Sequence, residues 1–191
     1  MIAKALKVLR PNASWVLTAN KIEWFDKVQE QPTQQEIEDK VKELEAQAKV
    51  DDTVQALQSL CDTKSIEAKA YINGAKVTAE QLARYEEKYQ IAVEYKSNGN
   101  YGTTLQLEAD LQGLTVEALA DLIIAKGQGY KQALISFNAK IEAFRVQVSK
   151  LIGDGNLDKA NEVITKAKEL GAGATDEDIK GLFAQWLVTP K

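Results

Sequence analysis

Between positions 115 and 152, apolar or small residues recur at 116, 120, 123, 127, 130, 134, 137, 141, 144, 148 and 151. The steps alternate between four and three, which is the heptad spacing that keeps one stripe of a helix facing a partner. Leu134, Ile141 and Val148 take the a positions of this seam, and Tyr130, Phe137, Phe144 and Leu151 the d positions. Thr115 can cap its start and Gly153-Asp154-Gly155 stops its end. Such a helix would span roughly 55 Å at about 1.5 Å per residue. That is longer than a compact domain of this size needs, so these seven residues are expected to meet a partner.

The remaining pattern is mostly helical. Ile2, Ala5, Leu6 and Leu9 share one helical face, and Pro11 ends that run by pushing Arg10 out of the α region. Trp15 and Leu17, then Ile22 and Trp24, alternate around Ala19-Asn20, as in a hairpin with an aromatic face expected to pack against the first helix. Thr33 and Glu36 form a capping box, and Ile37, Val41, Leu44 and Ala48 follow as a shorter, more acidic seam expected to end near Asp51-Asp52. A short amphipathic run carries Val54, Leu57, Leu60 and Cys61. Asn73-Gly74 sits between residues of strand character, a two-residue hairpin turn. Thr78 and Gln81 box a helix carrying Leu82, Tyr85, Tyr89 and Val93, and Leu105, Leu107 and Leu111 mark another before Gly113. The tyrosines at 85, 89 and 95 are read as packing residues with wet hydroxyls.

Two glycines interrupt the long seam. Gly127 and Gly129 each cost roughly 1 kcal/mol against alanine inside a helix, so either the helix bends there or another backbone approaches Gly127. Lys126-Gly127-Gln128-Gly129 lacks the strand, lysine and hydroxyl residue of a phosphate loop. Beyond Gly155, Leu157, Ala160, Val163, Ile164 and Ala167 predict a helix, and Thr175 and Asp178 open a last one with Ile179, Leu182, Phe183, Trp186 and Leu187. The expected fold is mostly α: a small N-terminal α+β unit over 1–50, a helical middle over 51–152 with a short hairpin at 71–77 and one long coiled-coil-like helix, and a C-terminal helical hairpin over 156–191.

Charge and composition narrow the function classes. The chain has 191 residues, 24 Lys and Arg against 28 Asp and Glu, and no histidine. A net charge of −4 with no concentrated basic face argues against nucleic acid or anionic lipid as partner. No run approaches the roughly 20 apolar residues of a membrane span, and the N-terminus does not read as a secretory signal. Without histidine the commonest metal ligand and general base are missing. Cys61 is the only cysteine and reads as a small core residue with nothing to activate it. The carboxylate pairs lie at helix starts, where they offset the macrodipole. No catalytic, cofactor or metal site is expected. Around the long seam, Lys126, Lys131, Lys140 and Arg145 flank the stripe without an acidic residue, while Glu38 and Glu45 flank the shorter one. The long helix is therefore expected to pack against the helix over 33–49, or against an acidic partner helix, rather than against its own copy in parallel register.

Two stretches resemble known proteins. Leu9-Arg10-Pro11-Asn12-Ala13-Ser14-Trp15-Val16-Leu17, then Ile22-Glu23-Trp24, Gln31-Pro32-Thr33 and Glu36-Ile37, resembles the opening of small tail-module proteins of tailed bacteriophages and prophages, including the XkdW-like group. The run from Gly113-Leu114-Thr115-Val116 through Ile123-Ile124-Ala125-Lys126 to Ile141-Glu142-Ala143-Phe144-Arg145 is similar to the helical ends of tail-fibre-associated proteins. The resemblance implies a non-enzymatic virion protein, made in the host cytoplasm, that binds other phage structural proteins near the tail fibre or baseplate. An assembly chaperone that leaves the particle and a head decoration protein are the alternatives, and a second copy of the chain stands beside the phage proteins as a partner.

Overall fold

The structure, a computed structural model, describes residues 1–72, 75–100 and 102–170, with only the backbone for 71, 72, 75 and 76. The Asn73-Gly74 turn and the expected helix over 175–187 lie outside the described residues. The chain is mostly helical, as the pattern predicts.

At the N-terminus, α1 (Ile2–Leu9) buries Ala5 and Leu6 and ends at Arg10, whose N–H donates to the Leu6 carbonyl. The hairpin follows as β1 (Trp15–Thr18) and β2 (Lys21–Trp24), antiparallel, with Trp15 opposite Trp24 and Leu17 opposite Ile22. Its two turn residues, Ala19 (φ 47°) and Asn20 (φ 68°), both adopt the positive φ that matches the twist of two-residue hairpins. Both tryptophans are half-buried, and the Trp24 indole N–H donates to the Gln29 carbonyl at 2.9 Å. Asp26 closes the unit. Its carboxylate accepts backbone N–H groups from Gln29 and Val28 at 2.8 Å and from Ser14 at 3.1 Å, which hold its pKa below the ordinary value.

The largest departure from expectation is α2, which runs unbroken over Gln34–Lys69. The capping box forms as read, with Thr33 Oγ1 accepting from the Glu36 N–H and Glu36 Oε2 from the Thr33 N–H. Asp51-Asp52 does not end the helix. No glycine or proline lies between Gln34 and Lys69, and an aspartate pair costs too little to stop a helix held further on. Gln47 donates to Asp51 at 2.8 Å, and Thr53 is buried, its hydroxyl donating to the Lys49 carbonyl and accepting from Asn161. A boundary at residue 50 therefore falls inside one helix.

A two-residue pair, β3 (Tyr71–Ile72) and β4 (Ala75–Lys76), leads to α3 (Ala79–Asn98), opened by the Thr78 and Gln81 capping box. Gly99 ends α3 in the left-handed conformation. After α4 (Thr103–Gln112), α5 runs over Val116–Gly153 with Thr115 Oγ1 accepting from the Ala118 N–H, and α6 covers Leu157–Glu169.

Two apolar clusters hang on α5. One joins Leu57, Leu60 and Cys61 of α2 to Phe144 and Val148 of α5 and to Ala160, Val163, Ile164 and Ala167 of α6. The other sets Leu105 and Ala109 of α4 against Leu119 of α5, with Ile91 and Tyr95 of α3 packed on it. Since Leu57 lies near Val148 while the Lys69 carbonyl accepts from the Tyr130 hydroxyl at 2.8 Å, α2 and α5 run antiparallel. They are offset, so the first half of α2 stands clear of α5. From Glu38 to Asp52 it buries no residue.

Candidate interaction surface

The seven seam residues divide into two groups. Phe144 and Val148 lie inside the cluster built with α2 and α6, and Ile141 and Leu151 pack against it. This end of the stripe is thus enclosed by the chain itself, which corrects the expectation of a partner along its whole length. Tyr130, Leu134 and Phe137 are half-buried and continue the stripe past the end of α6. The helix that covers the enclosed end is the later half of α2, not residues 33–49, because Leu57, Leu60 and Cys61 present the larger apolar surface there.

Nor do the flanking charges pair as the sequence suggested. Arg145 makes a two-pronged bond to Glu142 of its own helix, at 2.9 and 2.6 Å. Lys131 lies over the Tyr89 ring, 4.0 Å from its centre. Glu38 accepts from Gln34 one turn earlier. These cations settle on local partners because α5 meets the apolar half of α2 and the acidic half lies beyond its reach.

Tyr130 and Leu134 open into a groove of about 950 Å³ between α3 and α5, lined also by Leu82, Tyr85, Tyr89 and Lys69. Its shape follows from Gly127. A Cβ at that position would lie 3.2 Å from the Tyr89 Cγ and closer to Cδ2 and Cε2, so only glycine lets the ring come this close to α5. The near approach expected at Gly127 is real, but it is a side chain and not a backbone. Gly129 meets nothing within 4 Å and has no comparable role. Burial, with the Glu86 carboxylate second, pushes the Tyr130 hydroxyl above its ordinary pKa, so it stays a donor to Lys69. Tyr85 is 48% exposed at the groove's edge, while Tyr95 belongs to the α3–α4–α5 cluster.

The α3 wall is clamped to α5 by charge. Lys96 reaches Glu117 at 2.7 Å and Asp121 at 2.8 Å, and Lys88 reaches Glu108 of α4 at 2.6 Å. The bond to Asp121, then that to Glu117, holds the Lys96 pKa above its usual value.

Elsewhere, Cys61 is buried in the apolar cluster, and desolvation raises its thiol pKa, as an inert core residue requires. Among the described residues no group of three or more His, Cys, Asp or Glu is placed to hold a metal, and no helix is long and apolar enough to cross a membrane. The sequence reading missed the groove. Its signal was the glycine on a seam position of α5 together with aromatic residues one helical turn apart on α3. No protein-family model, curated protein or solved structure matches the chain.

Proposed function

We propose that this chain is a non-enzymatic bacteriophage tail component, a structural or adaptor protein near the fibre or baseplate that joins its neighbours through helix-mediated contacts. The observation that carries the assembly part is the groove beside α5. There Tyr130 and Leu134 continue a regular apolar stripe beyond the cover of α2 and α6, in a groove with Tyr85 and Tyr89 on its α3 wall. An amphipathic helix of another tail protein, laying anchors at successive turns, is the occupant this geometry suits. Its walls carry both signs, Lys69 and Lys126 beside Glu86 and Glu87, so the flank that suits it on that helix is a mixed polar one. The tail location is supported by the resemblance of the N-terminal pattern around Arg10-Pro11 and of the 113–145 stretch.

Mass spectrometry of purified particles tests the reading. The chain should co-purify with tails in fixed proportion, and Leu134→Glu should reduce its incorporation while leaving far-UV circular dichroism unchanged. Absence from the particle would replace the structural reading with the chaperone one. A copy number matching the capsid lattice would make it a head decoration protein.

A further inference from the structure

A two-stranded hairpin has two outer edges. Between β1 and β2 the Phe25 N–H donates to the Ser14 carbonyl at 2.9 Å, and from there hydrogen-bonded pairs alternate along the register, falling on Val16 with Glu23 and on Thr18 with Lys21. The N–H and C=O groups of Ile22 and Trp24 therefore point away from β1. Among the described residues they have no hydrogen-bond partner. The other edge is placed differently, because the loop over 26–30 returns to the residues that lead into β1. Asp26 accepts from the Ser14 N–H, Gln29 Nε2 donates to the Pro11 carbonyl at 2.9 Å, and Arg10 Nε donates to the Glu30 carbonyl at 3.1 Å. The β2 backbone carries no such ties.

That edge is complementary to itself. β2 reads Lys21-Ile22-Glu23-Trp24, with Lys21 and Glu23 exposed on one face and neither in an ion pair among the described residues. Two copies can join antiparallel only where outward-pointing residues meet, which leaves few registers. With Ile22 opposite Ile22, Lys21 of each copy faces Glu23 of the other, so two opposite-charge pairs form at the closer, non-hydrogen-bonded positions. With Ile22 opposite Trp24, Glu23 faces Glu23, and like charges directly opposite destabilise a sheet. With Trp24 opposite Trp24, Ile22 faces Asp26 and Lys21 faces Lys27. Charge thus selects the first register. The same register also gives Phe25 a neighbour. Its ring is 58% exposed on the face of Lys21 and Glu23, and it would lie opposite Ala19 of the copy, diagonal to the apolar stem of Lys21.

We propose that the outer edge of β2 pairs antiparallel with the same edge of a second copy of this chain. The two hairpins then form one four-stranded sheet in the order β1-β2-β2-β1, with Ile22 at the two-fold axis. The groove beside α5 takes no part, and the inference does not rest on the tail reading.

Analytical ultracentrifugation of the full chain at low salt tests it. The chain should dimerise with a dissociation constant on the order of 10–100 μM, as a contact below the standard interface size does. Lys21→Glu sets like charges opposite each other at two places and should weaken the dimer roughly tenfold or more, and Glu23→Lys should do the same. An equimolar mixture of the two variants restores opposite charges in the mixed dimer, so it should associate as tightly as the unaltered chain. Far-UV circular dichroism and tryptophan emission should stay unchanged, since both side chains are exposed. Where either signal moves, Lys21→Gln and Glu23→Gln repeat the test with neutral side chains, each weakening the dimer by a smaller factor. A chain that stays monomeric up to about 1 mM overturns the proposal. So does a dimer that none of these variants weakens, or a mixture of the two reversals that associates no more tightly than its components.

Discussion

Gly127 and Gly129 lie two residues apart in one helix, and alanine at each should move stability in opposite directions. In a helix interior, Gly→Ala is worth up to about 1 kcal/mol through backbone entropy alone. At Gly129 nothing opposes that gain, since an added methyl meets open space. Gly129→Ala should therefore stabilise by roughly 0.5–1 kcal/mol. At Gly127 the same methyl overlaps two ring carbons of Tyr89, Cδ2 and Cε2, and presses on the Cγ that anchors the ring. Overpacking of this kind costs about 1–3 kcal/mol, and displacing the ring also disturbs its contact with Lys131. The net effect of Gly127→Ala should be a loss of about 1 kcal/mol, or about 2–4 °C in melting temperature for a chain of this size. The discriminating measurement is a double-mutant cycle by urea denaturation followed by circular dichroism. In a Tyr89→Ala background the clash is gone, and Gly127→Ala should become stabilising, giving a coupling of roughly 2 kcal/mol. If Gly127→Ala stabilises the unaltered chain as much as Gly129→Ala does, the ring does not rest on α5 and the groove as described is wrong.

Other expectations follow from the same contacts. Thr33→Ala and Thr78→Ala each remove one capping box and should cost about 1 kcal/mol, visible as a lower urea midpoint. Leu57→Ala opens the cluster shared by α2, α5 and α6 and should cost about 2–5 kcal/mol, whereas Ile135→Ala, at a site 62% exposed, should be nearly silent in the same melt. Asp26 has a lowered pKa in the folded chain, so its stabilisation is complete above its unfolded value of about 3.9 and is lost as pH falls through the lower folded value. Trp24 emission should therefore change in an acid titration below that point, and Asp26→Asn should already show the changed emission at neutral pH. Cys61 should react slowly with a thiol reagent in the native chain and promptly in denaturant; fast native labelling would contradict its burial.

The elements with strong local signals were legible from the residues. Both capping boxes, the Ala19-Asn20 turn, and the start of α5 at Thr115 form as the sequence indicates, because each depends on a few neighbouring side chains and backbone groups. Long-range choices were not legible. Asp51-Asp52 looked like a stop, yet whether a mild helix breaker ends a helix depends on what holds the far side, here Thr53 with Asn161, 108 positions away. The heptad stripe of α5 announced that something would cover it, but period alone does not say whether the cover is another chain or the same one. The charge argument failed for a related reason: it paired stripes by sign, while the apolar area at Leu57 and Leu60 set which half of α2 meets α5. The Gly127 signal was present and half-read, since a glycine at a seam position shows that something comes close without saying what.

The offset between the two long helices has a kinetic consequence. The stretch of α2 from Glu38 to Asp52 is tied to the rest by its own backbone hydrogen bonds and surface pairs, with a folded module at one end and a packed cluster at the other. Its amides should exchange with solvent through small openings, far more readily than those near Leu57, and such an opening would let the N-terminal module swing without unfolding. A rod that yields in its middle keeps both ends folded while their relative orientation changes.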